Sequence, residues 1–340
     1  MPKQKMPKID IHTHLLPQDL PDWKSQFGYG GFIKLETLPC CKRARMVRDD
    51  GKFFREVEEN LWSAQARLAD MTRTGVDKQV LSTVPVMFNY WAGAKDTLAL
   101  ARYLNDHLAS VVHEHPERFY GLGTVPLQDT ELACLELDRI MKELNLSGVQ
   151  IASNVGEANL SDERLFPFFQ ECERLGAAVF VHPWYMMGED NMQKYWLPWL
   201  VGMPAEGARA IASMIFGGIF ERLPKLRVAF AHGGGSFPFT WGRLEHGFQA
   251  RPDLCAVDNP YPPSRYLGRF WVDSLVHDMK ALQHVIDLVG AEKVCLGSDY
   301  PFPLGENEPG SLIESTVGDD IKETVLYKSA KLFLGLSDRD

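Results

Sequence analysis

Eight short apolar runs, separated for most of the length by longer amphipathic stretches, constrain the fold of this 340-residue chain more than any other feature. The runs lie at 8–12, 78–84, 119–125, 148–152, 178–182, 226–231, 270–274 and 294–298. Helical periodicity predicts helices near 56–74, 95–114, 130–144, 162–175, 207–222, 278–289 and 319–334. Strands that alternate with helices pair in parallel, because the helix makes the long crossover. Eight such units favour a closed (β/α)8 TIM barrel over an open sheet, and roughly 250 residues suffice for one. The extra length fits an insertion at 17–55, between the first strand and its helix. Within it, Gly28-Tyr29-Gly30-Gly31-Phe32 suggests a hairpin or lid. No Pro/Gly/Ser linker, repeat or low-complexity segment divides the chain, so 1–340 reads as one domain.

Acidic residues outnumber basic ones 45 to 36, a net charge of -9. That balance argues against nucleic acid, whose phosphates need a basic face. It leaves room for a small anionic substrate, since a few arginines can dominate a pocket. Met1-Pro2-Lys3-Gln4-Lys5 leads straight into the first strand, and no apolar run approaches the ~20 residues of a membrane span. The expectation is a cytoplasmic protein with no membrane partner. The six cysteines show no CxxC spacing, which suits a reducing compartment. The adjacent Cys40 and Cys41 read as incidental loop thiols.

In such a barrel, reactive groups sit at the C-terminal strand ends and in the loops that follow. His12 and His14 stand in Ile9-Asp10-Ile11-His12-Thr13-His14-Leu15. On a strand, residues i and i+2 share a face, so the two imidazoles can hold one divalent ion together. His182 closes the fifth run, His232 follows the sixth in Ala231-His232-Gly233-Gly234-Gly235, and Asp299 follows the eighth in Gly297-Ser298-Asp299-Tyr300. One histidine after a strand means little, but five ligand-type side chains at four strand ends point to a metal centre. His113-Glu114-His115 is a control with the same spacing. It ends a helical pattern, where residues turn by about 100° each and i and i+2 diverge. His232 reads either as another ligand or as a proton-transfer group. A metal lowers the pKa of its water towards ~7, and a nearby imidazole can take or return that proton.

The ligand pattern resembles that of the amidohydrolase superfamily. Two-metal members usually carry a carboxylated lysine on the fourth strand; here it reads Gly148-Val149-Gln150-Ile151-Ala152, which implies one ion. Longer words narrow the resemblance: Ser82-Thr83-Val84-Pro85-Val86-Met87-Phe88, Trp196-Leu197-Pro198-Trp199-Leu200-Val201-Gly202, the His232 glycine run through Phe239, and Asp299-Tyr300-Pro301-Phe302-Pro303. From about Lys8 to Leu336 the chain is similar to the 2-amino-3-carboxymuconate-6-semialdehyde decarboxylase family, a metal-dependent decarboxylase branch. The resemblance implies one zinc ion per subunit on His12, His14, His182 and Asp299, with no organic cofactor. It leaves His232 for proton transfer and counts Asp299 with it among the catalytic residues. It implies that Arg55 binds a substrate carboxylate, a role suited to arginine's planar fork. It also implies that Arg243 reaches the neighbouring subunit's site in a homodimer. Lys52, Trp199 and Phe302 are expected to wall the pocket, with Trp199 equally suited to the core. The implied reaction is non-oxidative decarboxylation of a small dicarboxylate semialdehyde, in tryptophan (kynurenine) or 2-nitrobenzoate breakdown. One departure is Tyr185, where close members commonly carry Asp after His-Pro-Trp; it points to an altered pocket rim. A decarboxylase of aromatic hydroxy-acids and a single-metal hydrolase share the ligand set, and a metal-containing binding scaffold is the non-enzymatic reading.

Overall fold

The computed structural model describes residues 6–38 and 41–337; Cys40 lies outside them. The barrel is built from β1 (Ile9–Leu15), β5 (Lys78–Thr83), β6 (Phe119–Gly123), β7 (Gly148–Ala152), β10 (Ala178–His182), β11 (Arg227–Phe230), β12 (Trp271–Asp273) and β13 (Val294–Cys295). They follow one another in that order, every neighbouring pair parallel. The ring closes where Ile11 N donates to Leu296 O at 2.9 Å and Thr13 bridges Tyr300 in parallel. All seven residues of β1 are buried. Strands covered on both faces need continuous apolar runs, which is why these segments stand out in the sequence. Two further pieces, β8 (Asn154–Val155) and β9 (Ala158–Asn159), form a small ladder after β7.

The barrel interior is filled from below by Ile9, Ile11, Val80, Leu122, Phe180 and Trp271. The helix Ser329–Leu334 closes that end, with Phe333 packed 6.0 Å from the Trp271 ring. Phe180 forms the floor of the upper half, its ring 5.0 Å from that of His12. β1 slips register against β5 between Asp10 and Thr13. Such irregularities re-aim side chains beside functional sites, and this one lies under His12. Among the described residues no helix is long and apolar enough to cross a membrane.

The insertion after β1 holds the helix Trp23–Phe27 and an antiparallel sheet of β2 (Ile33–Thr37), β3 (Arg43–Arg48) and β4 (Phe53–Glu58). Gly28 does not open a hairpin; it ends the helix in the left-handed region at φ 82°. The segment beyond it is pinned by Asp49, whose carboxylate accepts Gly31 N at 2.9 Å and Phe32 N at 3.1 Å. The sheet also runs past residue 55, into the stretch expected to be helical. Glu56 and Glu58 face solvent while Val57 is buried, a period of two that belongs to a strand. The helix begins at Ala64, where Ser63 Oγ accepts Ala66 N at 3.2 Å.

Candidate metal centre

Each strand end named above delivers its side chain to the same face of the barrel. The candidate ligand atoms of His12, His182, His232 and Asp299 all lie within 4.8 Å of one another. His14 joins them through Nε2, 2.9 Å from Asp299 Oδ1, while His12 Nε2 lies 3.3 Å from the same oxygen. His232 Nε2 stands farther off, 3.8 Å from Asp299 Oδ2. His113 and His115 instead end the helix Ala94–Glu114 ahead of β6, at the opposite end of the barrel.

The surroundings of the rings test whether a metal fits. His14 Nδ1 donates to Thr83 O at 2.9 Å and His182 Nδ1 donates to Pro183 O at 3.0 Å. His12 Nδ1 donates to Asp273 Oδ2 at 2.7 Å. A carbonyl or carboxylate can only accept, so these contacts place a proton on Nδ1 and aim Nε2 at the centre. His12 Nε2 and His182 Nε2 are buried and make no hydrogen bond. Two buried lone pairs converging on a carboxylate are what a divalent ion requires. His232 differs: among the described residues its buried Nδ1 has no partner, and only the Asp299 carboxylate, 3.8 Å from Nε2, faces it.

Electrostatics agree. Burial works against charge on His12, but the Asp299 carboxylate and the Asp273 hydrogen bond outweigh it, and the imidazole is pushed up to about 10. Burial, helped by neighbouring imidazoles, holds His182 well below its ordinary range. Burial also opposes ionisation of Asp299, yet His12 and its other imidazole partners keep it well below the usual carboxylate range. The cluster thus favours one positive charge beside Asp299. A binding cation must expel the His12 proton, so its affinity is expected to rise with pH across the neutral range.

Residues that carry no ligand atom hold this arrangement, and sequence reasoning did not name them. Asp273, fully buried at the end of β12, also accepts Gly233 N at 2.8 Å and Leu275 N at 3.1 Å. It thereby ties the His12 ring to the turn carrying His232. Asp10 accepts His12 N and Ser298 N, both at 3.1 Å, and the Ser298 hydroxyl. It joins β1 to the loop of Asp299. The buried Arg67 donates to Gln79 Oε1 at 3.0 Å and to the His14 carbonyl. Gln150 stands on the fourth barrel strand, where a bridging lysine would be. It accepts the Ser82 hydroxyl at 2.7 Å and donates to Thr83 O at 2.9 Å, so its polar atoms are engaged. Asp273→Asn is expected to weaken metal binding by about 10–100-fold by disturbing the His12 ring, read by competition with a chromogenic chelator.

The space above the ligands is narrow, about 30 Å³, and is walled by Arg55, Trp184, Trp199 and Phe302. It adjoins a roomier compartment of about 250 Å³ that contains His232, Phe239 and His277. Trp199, Met203 and Leu304 wall both, which makes Trp199 a wall residue and not core. Phe302 lies 5.3 Å from the His14 ring, and the Arg55 guanidinium stacks 4.3 Å from the Phe302 centroid. Arg55 makes no ion pair among the described residues, and burial lowers its pKa against the pull of Asp299. Lys52 corrects an expectation. It is exposed in the β3–β4 turn, 3.4 Å from Asp50, and lines neither compartment, because it lies just before β4 while Arg55 is carried inward by the strand. Arg243 is exposed on the helix Phe237–Ala250, outside its own chain's pocket. Tyr185 walls a separate cavity behind Trp184 and does not touch the ligands.

A sequence profile of the amidohydrolase family matches residues 9–336. The chain belongs to that family. Within it, the chain is 60% identical to the 2-amino-3-carboxymuconate-6-semialdehyde decarboxylase of Dictyostelium discoideum, over 97% of this chain and 92% of that one. Identity to the Caenorhabditis elegans decarboxylase of the same name is 39%, over 98% and 96%. Among solved structures, the 5-carboxyvanillate decarboxylase of Novosphingobium aromaticivorans, complexed with manganese, superposes with a TM-score of 0.72 at 25% identity, covering 82% of each chain. The His–Asp cluster is therefore a single-metal site on an amidohydrolase barrel.

Proposed function

We propose that this protein is a carboxy-lyase that converts 2-amino-3-carboxymuconate-6-semialdehyde to 2-aminomuconate-6-semialdehyde, in cytoplasmic tryptophan (kynurenine) or 2-nitrobenzoate breakdown. The observation that carries the reading is the unpaired guanidinium of Arg55 beside one buried His–Asp ligand set, with the unanchored His232 facing the larger compartment. The two similar decarboxylases supply the substrate's identity.

His12, His14, His182 and Asp299 would hold the ion, and the three imidazoles with one carboxylate suit zinc. When bound, it supplies Lewis acidity and lowers the pKa of water. Arg55 takes a substrate carboxylate in its fork. Space of about 30 Å³ takes no more than a few waters, so the carbon skeleton extends into the compartment of His232. There His232 hands a proton to the carbon bearing the departing carboxylate. The bond from that carbon to the carboxylate breaks, carbon dioxide leaves, and the bonding pair returns to the conjugated amino-diene. One proton enters and one carbon dioxide departs, so no oxidant or organic cofactor is needed. The β2–β3–β4 sheet acts as a lid that brings Arg55 to the mouth.

The decisive assay forms the semialdehyde in situ from 3-hydroxyanthranilate with its dioxygenase and follows its absorbance. Metal-loaded protein is expected to speed its loss. An unchanged rate would remove this substrate while leaving the fold intact. Chelation should abolish turnover, and zinc should restore it at least as well as manganese; metal analysis of the purified protein checks which ion it carries. Arg55→Gln is expected to lower kcat/KM by about 10–100-fold, mainly through KM, because it removes a charged hydrogen-bond pair.

A further inference from the structure

Behind Trp184, away from the ligands, lies a cavity of about 270 Å³ that the reaction does not use. Arg48 at the end of β3, Asn89 and Trp91 from the loop after β5, and Trp184 with Tyr185 after β10 form most of its wall. Trp184 also walls the metal pocket, so one indole separates the two spaces.

Three features make this more than a surface dimple. Arg48 is exposed and makes no ion pair or hydrogen bond through its guanidinium among the described residues. The nearest acid along the chain, Asp49, is engaged by Gly31 N and Phe32 N. Asn89 is buried, and its Nδ2 donates to Met87 O at 3.0 Å. That bond fixes the amide, and among the described residues no donor engages Oδ1. Trp91 is 47% exposed yet rigidly held, 5.0 Å from the Phe32 ring and against Gly31, where a Cβ would come within 2.6 Å of the indole. A large, exposed aromatic held still is a feature of binding surfaces. Asn89 and Tyr185 both take left-handed backbone, at φ 49° and 56°, and non-glycine residues in that region gather at ligand-binding positions.

We infer that this cavity is a second binding site, for a one-ring aromatic acid carrying a neighbouring amino or hydroxyl group. Arg48 pairs with the carboxylate, Asn89 Oδ1 accepts from the adjacent N–H or O–H, and Trp91, Trp184 and Tyr185 cover the ring. The volume sits at the small end of ligand pockets, near ~300 Å³, which suits one ring and excludes a dinucleotide.

Calorimetric titration of the metal-loaded full chain with 2-aminobenzoate tests this. A component that persists in Arg55→Gln and weakens by about 10–100-fold in Arg48→Gln is expected, the loss of a charged hydrogen-bonded pair. Arg48→Glu should abolish it. Aniline, without the carboxylate, should not bind there, and benzoate, without the donor, should bind more weakly. Because Arg48 lines neither the metal site nor the metal pocket, Arg48→Gln should keep wild-type melting and turnover. Binding that is absent in the wild type, unchanged in Arg48→Gln, or wholly lost in Arg55→Gln would overturn the site. Calorimetry reads binding alone, so this outcome is independent of whether the semialdehyde is the substrate.

Discussion

His232→Ala is expected to keep one metal ion per chain and to lose about 10²–10⁴-fold in kcat, the usual reach of a positioned acid–base group. Proximity alone would make His232 a ligand, since its candidate ligand atom lies within 4.8 Å of those of His12, His182 and Asp299. The supports of the rings separate the roles. His12, His14 and His182 are each locked through Nδ1, whereas His232 has no such anchor. A ligand gains from being held; a group that moves a proton must change partners. The turn is built for this placement. His232 and the next three glycines all have positive φ, and a Cβ at Gly235 would meet Pro204 O at 2.2 Å. The chain therefore presses against the start of the helix Met203–Phe216 in a way that side chains there would prevent. Metal analysis and single-turnover rates on the same sample decide the matter. An ion lost together with activity would make His232 a fifth ligand and move the proton transfer elsewhere.

The parts of this site that are legible in sequence are those where burial and chemistry conflict. A covered parallel strand must be apolar, so a histidine or aspartate at its end stands out, and His12, His14, His182, His232 and Asp299 are found that way. Asp273 obeys the same rule in Phe270-Trp271-Val272-Asp273 but binds a histidine instead of the ion, and an aspartate after a strand also reads as a turn. Arg67 and Glu206 are harder still. Each is a fully buried charge on a helix, and beside a near partner (Asn60 O for Arg67, Arg209 for Glu206) each relies on groups distant in the chain: the His14 carbonyl for Arg67, and Asn154 Nδ2 and Met187 N for Glu206. Lys52, expected to wall the pocket, lines neither compartment. The turn before β4 leaves Lys52 in solvent, while Arg55, on the strand, lines the metal pocket. The helix expected from residue 56 failed because Glu56-Val57-Glu58 fits either period, and antiparallel pairing with β3 decides it.

The second large effect concerns Arg243. On the proposed reading it completes the neighbouring subunit's site, and Arg243→Ala should cost about 30-fold or more in kcat/KM, the range for truncating one partner of a buried charge pair. In its own chain the residue has little to do. It is exposed, pairs with no carboxylate among the described residues, and lies outside both compartments. One turn earlier on the same helix face, Phe239 is 69% exposed at the rim of the larger compartment. An apolar ring and a free cation on one face suit a contact with a second copy that covers the mouth. Mixing the two inactive variants tests sharing directly. In a heterodimer of His232→Ala and Arg243→Ala, one site receives both defects and the other receives neither. Random exchange makes half the dimers heterodimers in a two-fold assembly, so about one quarter of wild-type activity should return. Sedimentation must show that the dimers form and exchange. Exchange without recovery would place Arg243 in its own subunit's chemistry or outside the reaction, and the site would then be complete within one chain.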